Sequence, residues 1–185
     1  YVNWKNKDLD VTVGNFYEQF GSGLILRAYE ERNLGIDNAL DGVRLKYTPY
    51  KGVYLKAFTG KQRYIFQDGL TNGNGLIRGF DGEINLNELL DSAFNESKLL
   101  VTIGGSFVSR YNEDNLTPNF IMPKNVGSYG GRIGLRYGKV RFSGEYIFKE
   151  NDPYPDSQDD RFNYIYKNGE GILLNLGYST KGFAI

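Results

Sequence analysis

The chain is 185 residues long, enough for one domain with a sizeable core. Its 22 basic and 22 acidic side chains cancel, so no overall field draws in a polyanion, and charge argues against a nucleic-acid partner. Cysteine and histidine are both absent, which removes disulfides, thiolate metal sites, the commonest metal ligand and the usual base of Ser-His or Cys-His catalysis.

Strand-like runs follow one another along the chain. The first covers about 8–16, with Leu9, Val11 and Val13 against Asp10 and Thr12. A Gly-Ser-Gly break at 21–23 precedes a short run at 24–28. Runs at 41–48 and 52–60 are joined by the turn Pro49-Tyr50-Lys51-Gly52; Val43, Leu45 and Tyr47 oppose Arg44 and Lys46, and Val53, Leu55 and Ala57 oppose Tyr54 and Lys56. Residues 75–86 set Phe80, Ile84 and Leu86 against Asp81, Glu83 and Asn85. The segment "NELLDSAFNES", 87–97, fits a short amphipathic helix in a connection. Then 98–111 sets Leu99, Val101, Ile103 and Phe107 against Thr102, Ser106 and Arg110. "GGRIGLRYGKVRFSGEYIF", 130–148, holds two alternating runs about a Gly-Lys turn. "GILLNLGY", 171–178, is the ninth run, and a tenth begins after a turn at 179–182. Alternation of period two is the strand signature, and glycine (24) and aromatic residues (15 Tyr, 12 Phe) suit such strands and their turns.

Connections alternate in length from residue 41 onward: 49–52 short, 61–74 long, 87–97 intermediate, 112–126 long, 138–139 minimal, 150–168 long and 179–182 short. Alternate connections of a meander share one end, so one end is trimmed and the other elaborated, as in transmembrane β-barrels. Several runs reach the ~9–11 residues of a membrane-crossing strand, whereas no apolar run reaches the ~18 residues of a membrane helix. The expected fold is therefore all-β, an antiparallel up-and-down transmembrane β-barrel. Its lumen-facing set is Arg44, Lys46, Lys56, Arg78, Asp81, Glu83, Arg132, Arg136, Arg141 and Glu145. Its lipid-facing set is Val43, Leu45, Leu55, Ile84, Val101, Ile103, Ile133, Leu135, Val140, Phe142, Tyr146 and Phe148. A soluble β-sandwich or small barrel with the apolar side inward produces the same periodicity, because inversion leaves the pattern unchanged.

Further groups were weighed for chemistry. The inward cations form either an anion-favouring wall or a salt-bridged interior. Asp152, Asp156, Asp159 and Asp160 offer oxygen ligands for calcium, but their spacing departs from an EF-hand loop and solvated charge is the expectation. "GNGLIRGFDGE", 73–83, is no phosphate loop; bulges or close backbone approach explain its glycines, which also let aromatic rings lie flat on a sheet. "FYEQFGSG", 16–23, reads either as a sugar-stacking cluster or as a turn that seats Phe16 and Phe20. Glu30 and Glu31 are adjacent, so they point to opposite faces and cannot flank one glycosidic bond. No metal, cofactor or catalytic residue is expected.

The stretch "GNFYEQFGSGLILRAYEE", 14–31, followed by "GIDNALDGVRLKYTPYKGVYLKAFTGKQR", 35–63, resembles a family of large outer-membrane β-barrel proteins of Bacteroidota with no assigned activity. The resemblance is most specific over about 11–63 and implies an outer-membrane address and a barrel longer than 185 residues. The chain begins Tyr1-Val2-Asn3-Trp4 with no signal peptide, and its end, Gly182-Phe183-Ala184-Ile185, lacks the terminal aromatic common on a closing strand. Residues 1–185 are thus expected to be one barrel segment of about ten strands, incomplete at both ends, with a complete ten-stranded barrel as the alternative. The expected function is a pore or a structural subunit of an envelope complex. Outer-membrane lipid, lipopolysaccharide and other envelope proteins are its expected partners. The competing expectation is a soluble β-rich carbohydrate-binding module.

Overall fold

The computed structural model describes residues 1–63, 72–90, 97–112, 123–155 and 164–184. Strands β1 (Val2–Lys5) and β2 (Leu9–Phe16) form the first hairpin. The chain then leaves the sheet for residues 17–39. This excursion holds four two-residue strands, β3 (Gln19–Phe20), β4 (Leu26–Arg27), β5 (Glu30–Glu31) and β6 (Ile36–Asp37), and a 3-10 turn at Arg32–Leu34. β7 (Leu40–Tyr50) returns beside β2 and begins a meander through β8 (Val53–Arg63), β9 (Asn72–Asn85), β10 (Leu99–Tyr111), β11 (Asn125–Tyr137), β12 (Val140–Pro155), β13 (Tyr164–Thr180) and β14 (Phe183–Ala184). The result is one antiparallel ten-stranded sheet, β1-β2-β7-β8-β9-β10-β11-β12-β13-β14. Its two edges are β1 and β14, and no pairing between them closes it among the described residues.

The strands are longer than the alternation predicts. β12 and β13 run into the expected loop at 150–168, because the ladder continues past a register shift and pairs Asp152 with Lys167. Backbone groups gain partners there whatever the side-chain pattern, so the hairpin extends. The run predicted at 24–28 contributes only β4, and β1 carries a strand that the alternation left unassigned. The predicted helix shrinks to α1 (Leu86–Leu89), capped by the Asn85 side chain, which accepts from the Asn87 and Glu88 amides; residues 91–96 lie outside the described set. Among the described residues no helix is long and apolar enough to cross a membrane.

Register divides the sheet into two unlike faces, because directly paired residues project to the same side. One face reads across β7 to β13 as Lys46–Lys56–Asp81–Ser106 and Glu83–Gly104–Arg132–Glu145–Leu173. The opposite face reads Leu45–Ala57–Phe80–Phe107–Tyr129–Phe148, then Val53–Ile84–Ile103–Ile133–Gly144–Leu174, then Val101–Leu135–Phe142–Leu176. Residues 17–39 lie on the first, the covered face. Among the described residues no element packs on the second, the bare face: Ile172, Leu174 and Leu176 are 69%, 66% and 74% exposed.

The buried apolar cluster sits between the excursion and the sheet. Phe16, Phe20, Ala28, Leu40, Phe58 and Ile77 form it, with Ile25, Leu26 and Val108 against it. Phe58 and Ile77 project from the covered face into it, and the Phe58 ring lies across β9 where Gly79 has no side chain. It meets Phe16 and Phe20 at centroid distances of 6.1 and 5.5 Å. A Cβ at Gly79 would overlap the Phe58 ring and come within 2.8 Å of Phe20, whereas one at Gly131 on the bare face would touch nothing within 4 Å. Gly79→Val is therefore expected to destabilise the fold by about 1–3 kcal/mol through overpacking. Gly131→Ala is expected to be near neutral. Urea unfolding of the two variants, followed by fluorescence, checks the contrast.

Candidate functional site

The covered face gathers the charged residues. The turn after β2 brings Glu18 down onto β7 and β8, where it is buried. Its Oε1 accepts from Lys56 Nζ at 2.9 Å and from the Gln19 amide at 3.1 Å. Its Oε2 lies 3.2 Å from Lys46 Nζ and 3.5 Å from Arg44, ion-paired without a well-aligned hydrogen bond. Arg44 also donates to Thr12 Oγ1 and to the Tyr17 carbonyl. Burial pushes the Glu18 carboxyl up, but the hydrogen bond and charge of Lys56, with Lys46 and the Gln19 amide, outweigh it and hold the group below its ordinary value of 4.5.

A second network centres on Arg132 of β11. Its guanidinium lies over Gly104 of β10 and reaches the carboxylates of β9. Nη1 and Nη2 donate to the two oxygens of Asp81 at 2.6 and 3.1 Å, and Nε and Nη2 donate to Glu83 at 3.2 and 3.0 Å. Ser106 Oγ donates to Asp81 at 2.6 Å and accepts from Arg132 at 2.9 Å. A Cβ at Gly104 would stand 2.5 Å from the guanidinium, so the glycine opens the passage. Glu145, buried on β12, accepts the Ser22 amide at 2.9 Å and so ties the excursion to the far side of the sheet.

Lys56 of β8 and Glu145 of β12 stand four strands apart. Glu18 and Ser22, close together in the chain, reach one each, so the excursion lies across the strands of the covered face.

The structure brings together most of the charges that alternation placed on one face: Arg44, Lys46, Lys56, Asp81, Glu83, Arg132, Arg136, Arg141 and Glu145. Arg78 is a correction. It pairs with Thr59 and Ser109, shares the bare face with Phe80, and is exposed. Its even number puts it two residues from Phe80 on a strand of period two, so sharing Phe80's face is a matter of parity. The apolar set Val43, Leu45, Leu55, Ile84, Val101, Ile103, Ile133, Leu135, Val140, Phe142, Tyr146 and Phe148 shares the bare face throughout.

Sequence reasoning missed Glu18, Ser22 and Ser106 as members of the network. The signal was the excess of cations on β7 and β8, which calls for a carboxylate from elsewhere. In "FYEQFGSG" Phe16 and Phe20 are seated in the buried cluster, 5% and 0% exposed, while Tyr17 is exposed. Asp156, Asp159 and Asp160 lie outside the described residues; Asp152 pairs with Lys149. Among the described residues no three His, Cys, Asp or Glu side chains are grouped to hold a metal.

Glu18→Gln is expected to cost about 1–3 kcal/mol, less than a fully buried pair because the lysines keep access to water. Because the folded-state value of Glu18 is depressed, its contribution is complete above pH 4.5 and is lost as pH falls through the folded-state value. Urea unfolding at neutral and acid pH checks both: the wild type should lose more stability in acid than Glu18→Gln does.

The chain matches a family of unknown function, DUF6029, over residues 1–185. No curated protein and no solved structure matches it.

Proposed function

The chain belongs to DUF6029, and for it we propose a non-enzymatic role in the outer membrane, as part of a β-barrel that serves as a pore or as a structural subunit of an envelope complex. One observation carries this reading: the apolar face is bare among the described residues while residues 17–39 cover part of the charged face, the reverse of a water-soluble sheet.

The dimensions of the bare band favour lipid as its cover. From Leu99 to Phe107 on β10, and from Tyr137 to Tyr129 on β11, apolar residues and glycine occupy the face. That is ~27 Å of strand, or ~21 Å of height at a ~40° tilt, against an outer-membrane apolar band of about 25 Å. Polar residues end it at the long-connection side: Arg78, Ser109 and Glu170 stand one step beyond Phe80, Phe107 and Ile172. Aromatic residues mark both margins, Phe80, Phe107, Tyr129 and Phe148 in one row and Tyr137 and Tyr178 in another, as the girdles of such barrels do. Tyr129 is further tied by its hydroxyl to Glu150 at 2.9 Å. The resemblance over 11–63 points to the same address.

Between the two roles, the packing of residues 17–39 favours the structural one. Glu18, Phe20 and Ser22 occupy the covered face through buried contacts, which leaves less room for solute. The surrounding lipid and lipopolysaccharide are the partners of the bare face.

The cysteine-free sequence allows single nitroxide labels. In outer-membrane-type bilayers, Ile103→Cys and Leu174→Cys labels should collide freely with oxygen and poorly with a water-soluble nickel chelate, and a Ser143→Cys label should do the opposite. Chelate-accessible labels at 103 and 174 in bilayer-bound protein would sink the lipid-facing reading. Planar-bilayer recording separates the roles: no steady conductance is expected from the purified protein, and stable unitary currents would favour the pore.

A further inference from the structure

The covered face is zoned along its strands. The cations nearest the excursion are ion-paired: Arg44, Lys46 and Lys56 share Glu18, and Arg132 engages Asp81 and Glu83. Next comes an uncharged row, Asn85–Thr102–Gly134–Ser143–Asn175. Beyond it, toward the trimmed end, Arg136 and Arg141 stand directly opposite each other across β11 and β12.

Like charges directly opposed on one face are destabilising. Among the described residues neither arginine has a hydrogen bond or ion pair to a protein group, and both are exposed. The carboxylates of Glu83 and Glu145 lie beyond the neutral row and are engaged by Arg132 and by the Ser22 amide. Arg136 and Arg141 line an open groove of about 570 Å³, together with Asn85, Thr102, Ser143 and Asn175 and the apolar side chains of Leu100, Leu135, Phe142 and Leu176. Ser143 and Asn175 are exposed and, among the described residues, bonded to each other at a long 3.4 Å. Two guanidinium forks side by side, backed by hydroxyl and amide donors, match the oxygens of one tetrahedral dianion. Lys139 and Lys181 sit in the two adjoining turns and add positive potential at the same end.

The geometry points to a phosphate-binding site at the trimmed end of the covered face, held by Arg136 and Arg141 and completed by Thr102, Ser143 and Asn175. The ligand class is a phosphate monoester or inorganic phosphate, and the source is either the free ion or a phosphorylated lipid headgroup. The site rests on pairing and register within the covered face, so it stands or falls independently of what covers the bare face.

The test uses the whole chain in neutral detergent. Inorganic phosphate is titrated by calorimetry, and phosphatidate against phosphatidylcholine is titrated in mixed micelles. Saturable binding is expected, weakened about tenfold or more in Arg136→Gln and in Arg141→Gln, since each removes charge-assisted hydrogen bonds worth ~1.4 kcal/mol or more. Arg78→Gln, on the opposite face, is the control and should bind as the wild type does. Binding of inorganic phosphate assigns the free ion, and binding of phosphatidate alone assigns a headgroup; either supports the site. Arg136→Gln and Arg141→Gln relieve a like-charge contact, so they should fold at least as well as the wild type in phosphate-free buffer, which separates lost binding from lost fold. Absence of binding by either probe, or equal binding by Arg78→Gln and the double variant Arg136→Gln/Arg141→Gln, overturns it.

Discussion

Three cations converge on one buried carboxylate, and the covered face is organised around that contact. Glu18 lies where Arg44, Lys46 and Lys56 would otherwise repel one another across β7 and β8. A buried group of this kind is tolerated only with its counter-charges in place, because desolvation of an isolated ion costs several kcal/mol. The carboxylate comes from a chain excursion, so neutralising the sheet and docking residues 17–39 are one event. Once Glu18 is seated, Phe20 falls onto Phe58, and the Ser22 amide reaches Glu145 on the far side.

The glycines make this crossing possible. Gly79 gives Phe58 a flat bed, and Gly104 lets the Arg132 guanidinium pass over β10 to Asp81 and Glu83. Each removes a side chain from the strand between two partners that belong to non-adjacent strands. Ladder neighbours alone would pair Arg132 with Gly104 and Glu145; the missing Cβ at 104 redirects it two strands away. Inward glycines here act as openings for long side chains rather than as sites of loose backbone.

The same zoning explains why the inward cations do not form one uniform wall. Near the excursion they are paired with carboxylates, and among the described residues the arginine pair at the trimmed end has no protein partner. The bracing contacts thus sit in the rows near the excursion, and the anion-favouring reading is left to the proposed site at Arg136 and Arg141.

Much of this was legible from the alternation alone. Period two placed Val140, Phe142 and Leu135 on one face and Arg132, Arg141 and Glu145 on the other, and the meander order followed from the spacing of turns. The sequence determined these features because a strand's facing depends only on residue parity, which is local. It could not show that residues 17–39 fold back over the polar face, that Phe58 and Ile77 face a core there, or that Glu18 meets cations up to 38 positions away. Those are contacts between segments distant in sequence, and only the tertiary structure decided them, because which charge a buried carboxylate meets depends on where the excursion docks across the paired strands.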